Sequence, residues 1–382
     1  MERIAIVGVA QTKFSAPRVD KTFADLVYEV TTGALKDAGL EIADIDNIVT
    51  VSNDFWDGRT ISSMAVGDAA GAAFGRGKNI STVEGDGTLG ALYGLTRILS
   101  GSYQNTLVVA HAKASEGDNR LITNAFFDPI FERALGVDDV TAAALQAQVY
   151  QCRFGLARED FAGVAVKNRK NAAKNPCAHH QKELSLSEVM NSPDLAPPIN
   201  ALEARPLSDG AAAIILASEN FAKKLARRPA WVAGVGSSAE DYRLGERTLW
   251  KSPSLSEAAQ RAYAVAGVRE PSKEIQVAEI SEFFAHQELL WSENLGFCAQ
   301  GEGGRLLQSG QTQATGALPI NPSGGCLGAC APLVAGLVRI IEATLQLRGE
   351  AATQVREPRL ALAHGQNGLA GQSHCVWILS RN

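Results

Sequence analysis

No stretch of this chain stays apolar for the roughly twenty residues that a membrane-crossing helix requires. Its opening, Met1-Glu-Arg-Ile-Ala-Ile-Val-Gly-Val, reads as a first strand rather than a leader. Basic residues are not in excess. The net charge is −5, and the short basic stretch at 167–174 does not reverse it, which argues against a nucleic-acid footprint while leaving room for a phosphate-bearing ligand. Cysteine is sparse: Cys152, Cys177, Cys298, Cys326, Cys330 and Cys375 are scattered through a long, core-rich sequence, a pattern of free thiols in a reducing cytoplasm rather than of a disulfide framework. Cys326 and Cys330 are four apart, but no second pair stands at zinc-site spacing, so no metal is expected.

What is present is repetition. At 382 residues the chain exceeds a usual single core, so two domains or one duplicated unit is expected. Ala34-Leu-Lys-Asp-Ala-Gly-Leu40 recurs as Ala262-Tyr-Ala-Val-Ala-Gly-Val268, each closing a helix with glycine before an aliphatic strand. Gly94-Leu-Thr-Arg-Ile-Leu99 recurs in the same order as Gly336-Leu-Val-Arg-Ile-Ile341. Buried-type strands are expected at 4–9, 45–51, 80–84, 107–111 and 213–217, with helices at 23–38, 62–74 and 89–99. The second half gives strands at 231–235, 277–280, 359–364 and 375–379, with helices at 255–266, 285–295 and 333–347. Strands alternating with crossover helices mean an α/β architecture. The halves divide as 1–225 and 226–382, and the first holds an insertion at about 114–209 with amphipathic helices at 141–154 and 160–173. Such an insertion reads as a lid or subunit contact.

Several motifs lie on this frame. Ser81-Thr-Val-Glu-Gly-Asp-Gly-Thr-Leu-Gly90 opens a helix, and Ala278-Glu-Ile-Ser-Glu-Phe-Phe-Ala-His286 follows a strand. Asn321-Pro-Ser-Gly-Gly-Cys-Leu-Gly-Ala-Cys330 makes a glycine-rich turn. Together with segments 166–176, 206–213 and 293–304, these resemble the thiolase superfamily across nearly the whole chain. The likeness is to its divergent branch of sterol-carrier-protein-type thiolases, aryl and branched acyl-CoA thiolases and steroid side-chain aldolases. The resemblance implies two βαβαβαββ halves in a five-layer α-β-α-β-α sandwich with a loop-domain insertion. It also implies acyl thioesters of coenzyme A as substrates, a homodimer, and a small zinc-ribbon/OB-fold partner protein.

The resemblance also exposes what is missing. The family's nucleophilic cysteine falls on Gly87, flanked by Asp86 and Thr88, and its catalytic histidine falls on Ala331; its oxyanion-positioning residue falls on Ser281, which with backbone N–H groups at the helix starts is expected to hold the thioester oxygen. The tyrosines that related aldolases carry at positions 281 and 331 are absent as well. A thiolate is still available on the neighbouring loop. Cys330, or Cys326 before it, precedes a helix that is the internal mate of the one at Thr88, whose N-terminus would stabilise a thiolate. His364, ending a strand, is the expected proton carrier, with His286 as a further candidate. His111 would line the cavity or cap it, and His179, His180 and His374 read as surface or edge residues. Asp86, Gly87, Gly325 and Gly328 are expected to border the substrate, and aromatics at 55–56, 126–127, 131 and 283–284 lean towards a bulky or aryl acyl pocket.

The reading is therefore a thiolase-type acyltransferase that uses coenzyme A as co-substrate to cleave or form a C–C bond in a 3-oxoacyl-CoA. Two alternatives stand beside it. One is an aldolase-type lyase that cleaves a β-hydroxyacyl-CoA without a covalent intermediate; the other is a non-catalytic thiolase-like subunit.

Overall fold

Short aliphatic runs bounded by turn residues become the nine strands of one sheet in a computed structural model that describes residues 2–72, 78–225 and 228–382. These are β1 (Ile4–Gln11), β2 (Asn47–Ser52), β3 (Asn79–Glu84), β4 (Asn105–Lys113) and β5 (Asp209–Ser218) in the first half. The second half contributes β6 (Ala230–Ala239), β7 (Val277–Ile280), β8 (Leu360–Asn367) and β9 (Ser373–Ser380). The strand order is β3-β2-β4-β5-β1-β6-β9-β8-β7. At the seam, β1 and β6 meet only through Ala5–Trp231 and Ile6–Ala230.

Outward from that seam the two directions match. Two antiparallel pairings, β1–β5–β4 and β6–β9–β8, are each followed by a parallel one, β4–β2 and β8–β7. Where β3 runs parallel to β2, a single parallel bridge from Ala278 to Ile320 stands on the other side. The internal sequence repeat is thus a repeat of topology.

Helices cover both faces. Thr22 caps α1 (Phe23–Ala38) with a reciprocal Thr22–Asp25 box, and the helix ends on Gly39 at φ 68°; α5 (Pro253–Ala266) ends the same way on Gly267 at φ 74°. Leu26, Val30 and Ala34 of α1 pack on Val7, Val109 and Ile215, the outer face of the first half. Leu255, Ala258 and Ala262 of α5 share a core with Ile280, Leu362 and Val376, the outer face of the second. Between the halves lie α2 (Gly87–Leu99) and α7 (Ala335–Arg348), whose Leu95, Leu337 and Ile341 share one core with Val51, Val108, Ala363 and Trp377. The result is the five-layer α-β-α-β-α sandwich. Its insertion, between β4 and β5, carries α3 (Asp139–Phe154) and α4 (Arg158–Ala172), which pack on α6 (Ala285–Asn294).

The helix expected at 62–74 is shorter than its pattern implies. It spans Ser62–Val66 and gives way to turns in which Gly71 sits at φ 100°, a conformation that a helix cannot contain; positions 73–74 lie outside the described residues. Among the described residues no helix is long and apolar enough to cross a membrane.

Candidate active site

The repeat brings the starts of α2 and α7 against each other, and Asp86 joins them. As N-cap of α2, its Oδ1 accepts the Thr88 N–H at 2.9 Å and the Thr88 hydroxyl at 2.5 Å. Its Oδ2 accepts the Gly336 N–H of α7 at 2.9 Å. Gly336 and Gly365 have no side chains, and β-carbons on them would overlap this carboxylate. Burial pushes the Asp86 carboxyl above its ordinary range, opposed by the hydrogen bonds from Thr88 and Gly336. The N-terminal field of α7, expected to serve a thiolate, is used by a carboxylate.

Position 87 is closed. Gly87 N–H donates to Leu333 O at 2.7 Å, and a β-carbon here would lie 2.6 Å from Leu337 Cβ and 2.9 Å from Leu337 N. Behind it, the Cys375 thiol of β9 contacts Thr88 O at 3.8 Å, and burial pushes that thiol up to about 12.

A cavity of about 70 Å³ opens in front of Asp86, walled by Trp56, Phe126, Phe283 and Phe284 and by the amides Gln287, Gln366 and Asn367. Gln366 Nε2 donates to Ser281 O at 2.8 Å and to Gln287 Oε1 at 3.0 Å, while its own Oε1 is buried without a partner. On one side the wall is the ion pair Arg205–Asp139, 3.1 Å, with the guanidinium 4.2 Å above the Phe283 ring. Asp139, Arg205 and Phe284 also line a second, wider chamber of about 450 Å³ bounded by the insertion.

The candidates named from sequence are divided by this geometry. Cys326 and Cys330 do come together, in a small apolar cluster with Ala335 and Phe283, and Ser281 sits beside the Cys326 sulfur. Both thiols are buried, and neither is among the residues that line the cavity. Burial, then the neighbouring Cys330, drives the Cys326 thiol well above its usual value. Cys330 is held by its backbone, which exchanges hydrogen bonds with Ser208. Gly325 and Gly328 are packing positions: a side chain on Gly325 would meet the Glu282 carboxylate, and Cβ on Gly328 would lie 2.7 Å from the methyl of Ala172.

His364 is not brought to the thiols. Alternation along β8 turns Gly365 towards Asp86 and His364 to the opposite face, beside Leu362 and Ile280. There His364 Nε2 meets His374 Nδ1 at 2.9 Å, and His374 Nε2 faces Gly371 O at 2.9 Å and Ser252 Oγ at 3.0 Å. His374, expected at the surface, is therefore buried, because β9 is an interior strand. Burial lowers both rings, His374 to about 3. His286 lies under the insertion, bonded to Gln146 at 3.1 Å, stacked on Phe284 and beside the tilted ring of Phe161. His111 is buried against Asp57 at 3.1 Å. Of the aromatics, Trp56, Phe126, Phe283 and Phe284 reach the cavity, whereas Phe55 and Phe131 are exposed and Phe127 joins a separate cluster.

Sequence reasoning passed over Arg205, Asp139, Gln287, Gln366 and Asn367. Arg205 immediately precedes the quoted 206–213 motif and Gln366 follows His364 by two, so proximity to motifs was the available signal.

Comparison with known proteins agrees with this architecture. Residues 236–381 match the family model described as thiolase C-terminal domain-like. The acetyl-CoA acetyltransferase of Methanothermobacter thermautotrophicus is 31% identical over the full length of both chains. The 17-hydroxy-3-oxo-4-pregnene-20-carboxyl-CoA lyase of Mycobacterium tuberculosis is 29% identical over 92% of this chain and 93% of its own. The solved Ltp2-ChsH2(DUF35) aldolase superposes with a TM-score of 0.85 at 26% identity, covering 99% of this chain and 97% of that one.

Proposed function

The chain belongs to the thiolase family, and from that premise we propose that it is a carbon–carbon lyase, cleaving a β-hydroxyacyl-CoA by proton transfer without an acyl-enzyme. One observation carries the reading: the cavity between the halves is lined by Asp86 and, among the described residues, by no cysteine, while Leu337 fills the space beside position 87. The lyase and aldolase among the relatives support it.

Retro-aldol cleavage needs a base for the β-hydroxyl and a donor for the oxygen that becomes an enolate. Asp86 supplies the first. A carboxylate lifted by burial is a stronger base than an exposed one, and its two helix-start contacts fix its direction. It takes the hydroxyl proton as the Cα–Cβ electron pair moves to the thioester, then returns that proton to Cα. One proton makes the round trip, and coenzyme A is released only as a thioester. The Asn367 amide at the same cavity is available to the thioester oxygen.

The inner cavity, about 70 Å³, is about half the roughly 150 Å³ of an apolar cavity that takes up benzene, so a bulky or aryl group belongs in the wider chamber. A small partner subunit, by analogy with the two-protein assembly of the solved aldolase, and a homodimer belong to the same proposal.

The test is cleavage of 3-hydroxyacyl-CoA thioesters with no free coenzyme A. Product formation in its absence, reduced about a hundredfold to ten-thousandfold by Asp86→Asn in a protein shown to be folded, is expected, since asparagine keeps the Thr88 cap, gives up the Gly336 contact and loses the base. Strict dependence on added coenzyme A would return the case to acyl transfer.

A further inference from the structure

Arg205 lies where the inner cavity meets the wider chamber and lines both. Its side chain is only 5% exposed. Nη2 is spent on Asp139, whose other oxygen accepts from Asn119 at 2.7 Å and Thr123 at 3.1 Å, so three donors hold the acid and the ion pair is fixed in place. The guanidinium plane rests over Phe283. Nε and Nη1 are buried and have no acceptor. An unpaired Nε recurs in other arginines of the chain, the buried Arg339 among them, but among the described residues only Arg205 leaves Nη1 unpaired as well, and two buried donors on one charged group are costly to leave unmet. Because Asp139 already balances the ground-state charge, the unspent donors favour an oxygen whose negative charge develops during reaction over a resting carboxylate.

We propose that Arg205 is a catalytic residue whose Nε–H and Nη1–H donate to the thioester oxygen of a bound acyl-CoA and hold it as the enolate. The assignment rests on the reading of this site as one that acts on acyl-CoA through Asp86 and an enolate, but not on which bond is cleaved. In the elementary step Asp86 takes a proton from Cα, the C–H electron pair forms the C=C bond of the enolate, and the carbonyl π pair moves onto oxygen. Reversal returns the proton from the Asp86 carboxylic acid, which meanwhile exchanges with solvent.

That step can be read alone. The full chain, incubated with acetyl-CoA in deuterium oxide, should exchange the acetyl hydrogens, followed by proton magnetic resonance and mass spectrometry. Arg205→Met is expected to slow exchange at least about a hundredfold, the scale of losing an oxyanion donor, while acetyl-CoA affinity by calorimetry changes less than about tenfold. Arg205→Lys, which keeps charge but not the planar pair of donors, should fall between. The double variant Arg205→Met/Asp139→Asn removes both charges, so that no lone buried anion confounds the result. Exchange in that folded double variant within about threefold of the unaltered protein, or no exchange by the unaltered protein, overturns the assignment. Exchange that depends on Arg205 in a protein that cleaves no 3-hydroxyacyl-CoA would leave the assignment standing and remove the lyase reading.

Discussion

Leu337 Cβ stands 2.6 Å from where a β-carbon on Gly87 would lie, so the start of α7 occupies the space in which a side chain at the start of α2 would project. The glycine is a consequence of how the two halves close on each other. It follows that a nucleophile cannot be restored by one substitution. Gly87→Cys should lower stability by about 1–3 kcal/mol through overpacking, seen as a lower urea midpoint, and the introduced thiol should not become acylated on incubation with acyl-CoA. An acyl adduct on that thiol in a protein of unchanged stability would show that Leu337 yields freely.

The two loop thiols should be dispensable for cleavage. Cys326→Ser and Cys330→Ser are each expected to retain turnover within a few-fold, because neither sulfur faces the cavity. Each should cost about 1–3 kcal/mol in stability, the penalty for a buried hydroxyl without a sure partner. Intact-protein mass spectrometry after mixing with substrate should show no acyl adduct; one on Cys330 would establish covalent acyl transfer.

The buried histidine pair makes an acid-sensitive element. His374 is lowered to about 3 in the fold, whereas an unfolded histidine titrates near 6.5. Below 6.5 the unfolded chain binds the extra proton, so this contribution is intact above that pH and drains away as pH falls towards 3. The slope is at most about 1.4 kcal/mol per pH unit for each ring. A His364→Gln/His374→Gln variant should therefore lose less stability than the parent between pH 6.5 and 4.5, measured as thermal midpoints. Parallel curves would show that the rings are not buried neutral.

Gly325→Ala should be among the costlier glycine changes. Its φ is 62°, and a methyl group there would meet the Glu282 carboxylate and lie 2.8 Å from Asn321 Nδ2. Backbone strain and overlap together predict a loss of at least about 2 kcal/mol in equilibrium unfolding. Asn321 Nδ2 donates to Glu282 at 2.9 Å, and a loss below about 0.5 kcal/mol would mean that the turn relaxes without needing that buried hydrogen bond.

Much of the frame was legible from residue order. The glycine-closed repeat gave the matching α1 and α5, and aliphatic runs gave the strands, because buried parallel and interior strands leave a local imprint. The site was harder to read. Whether a residue at the end of β8 faces Asp86 or the opposite side is settled by a one-residue step, which separates Gly365 from His364. Asp139 and Arg205 meet across the long insertion, and no local pattern marks such a pair. The occupation of position 87 by Leu337 is likewise a contact between distant segments of the chain.

Asp86 belongs to the first half but its carboxylate caps the Gly336 N–H of the second, and the same residue lines the cavity. On the proposed mechanism, chemistry and architecture are thereby wired to one functional group. A small molecule that protonates, displaces or reinforces that carboxylate must also change how firmly α7 is anchored. Occupancy of the cavity should therefore register at the backbone amides at the beginning of α7, where hydrogen exchange would reveal a ligand without any turnover.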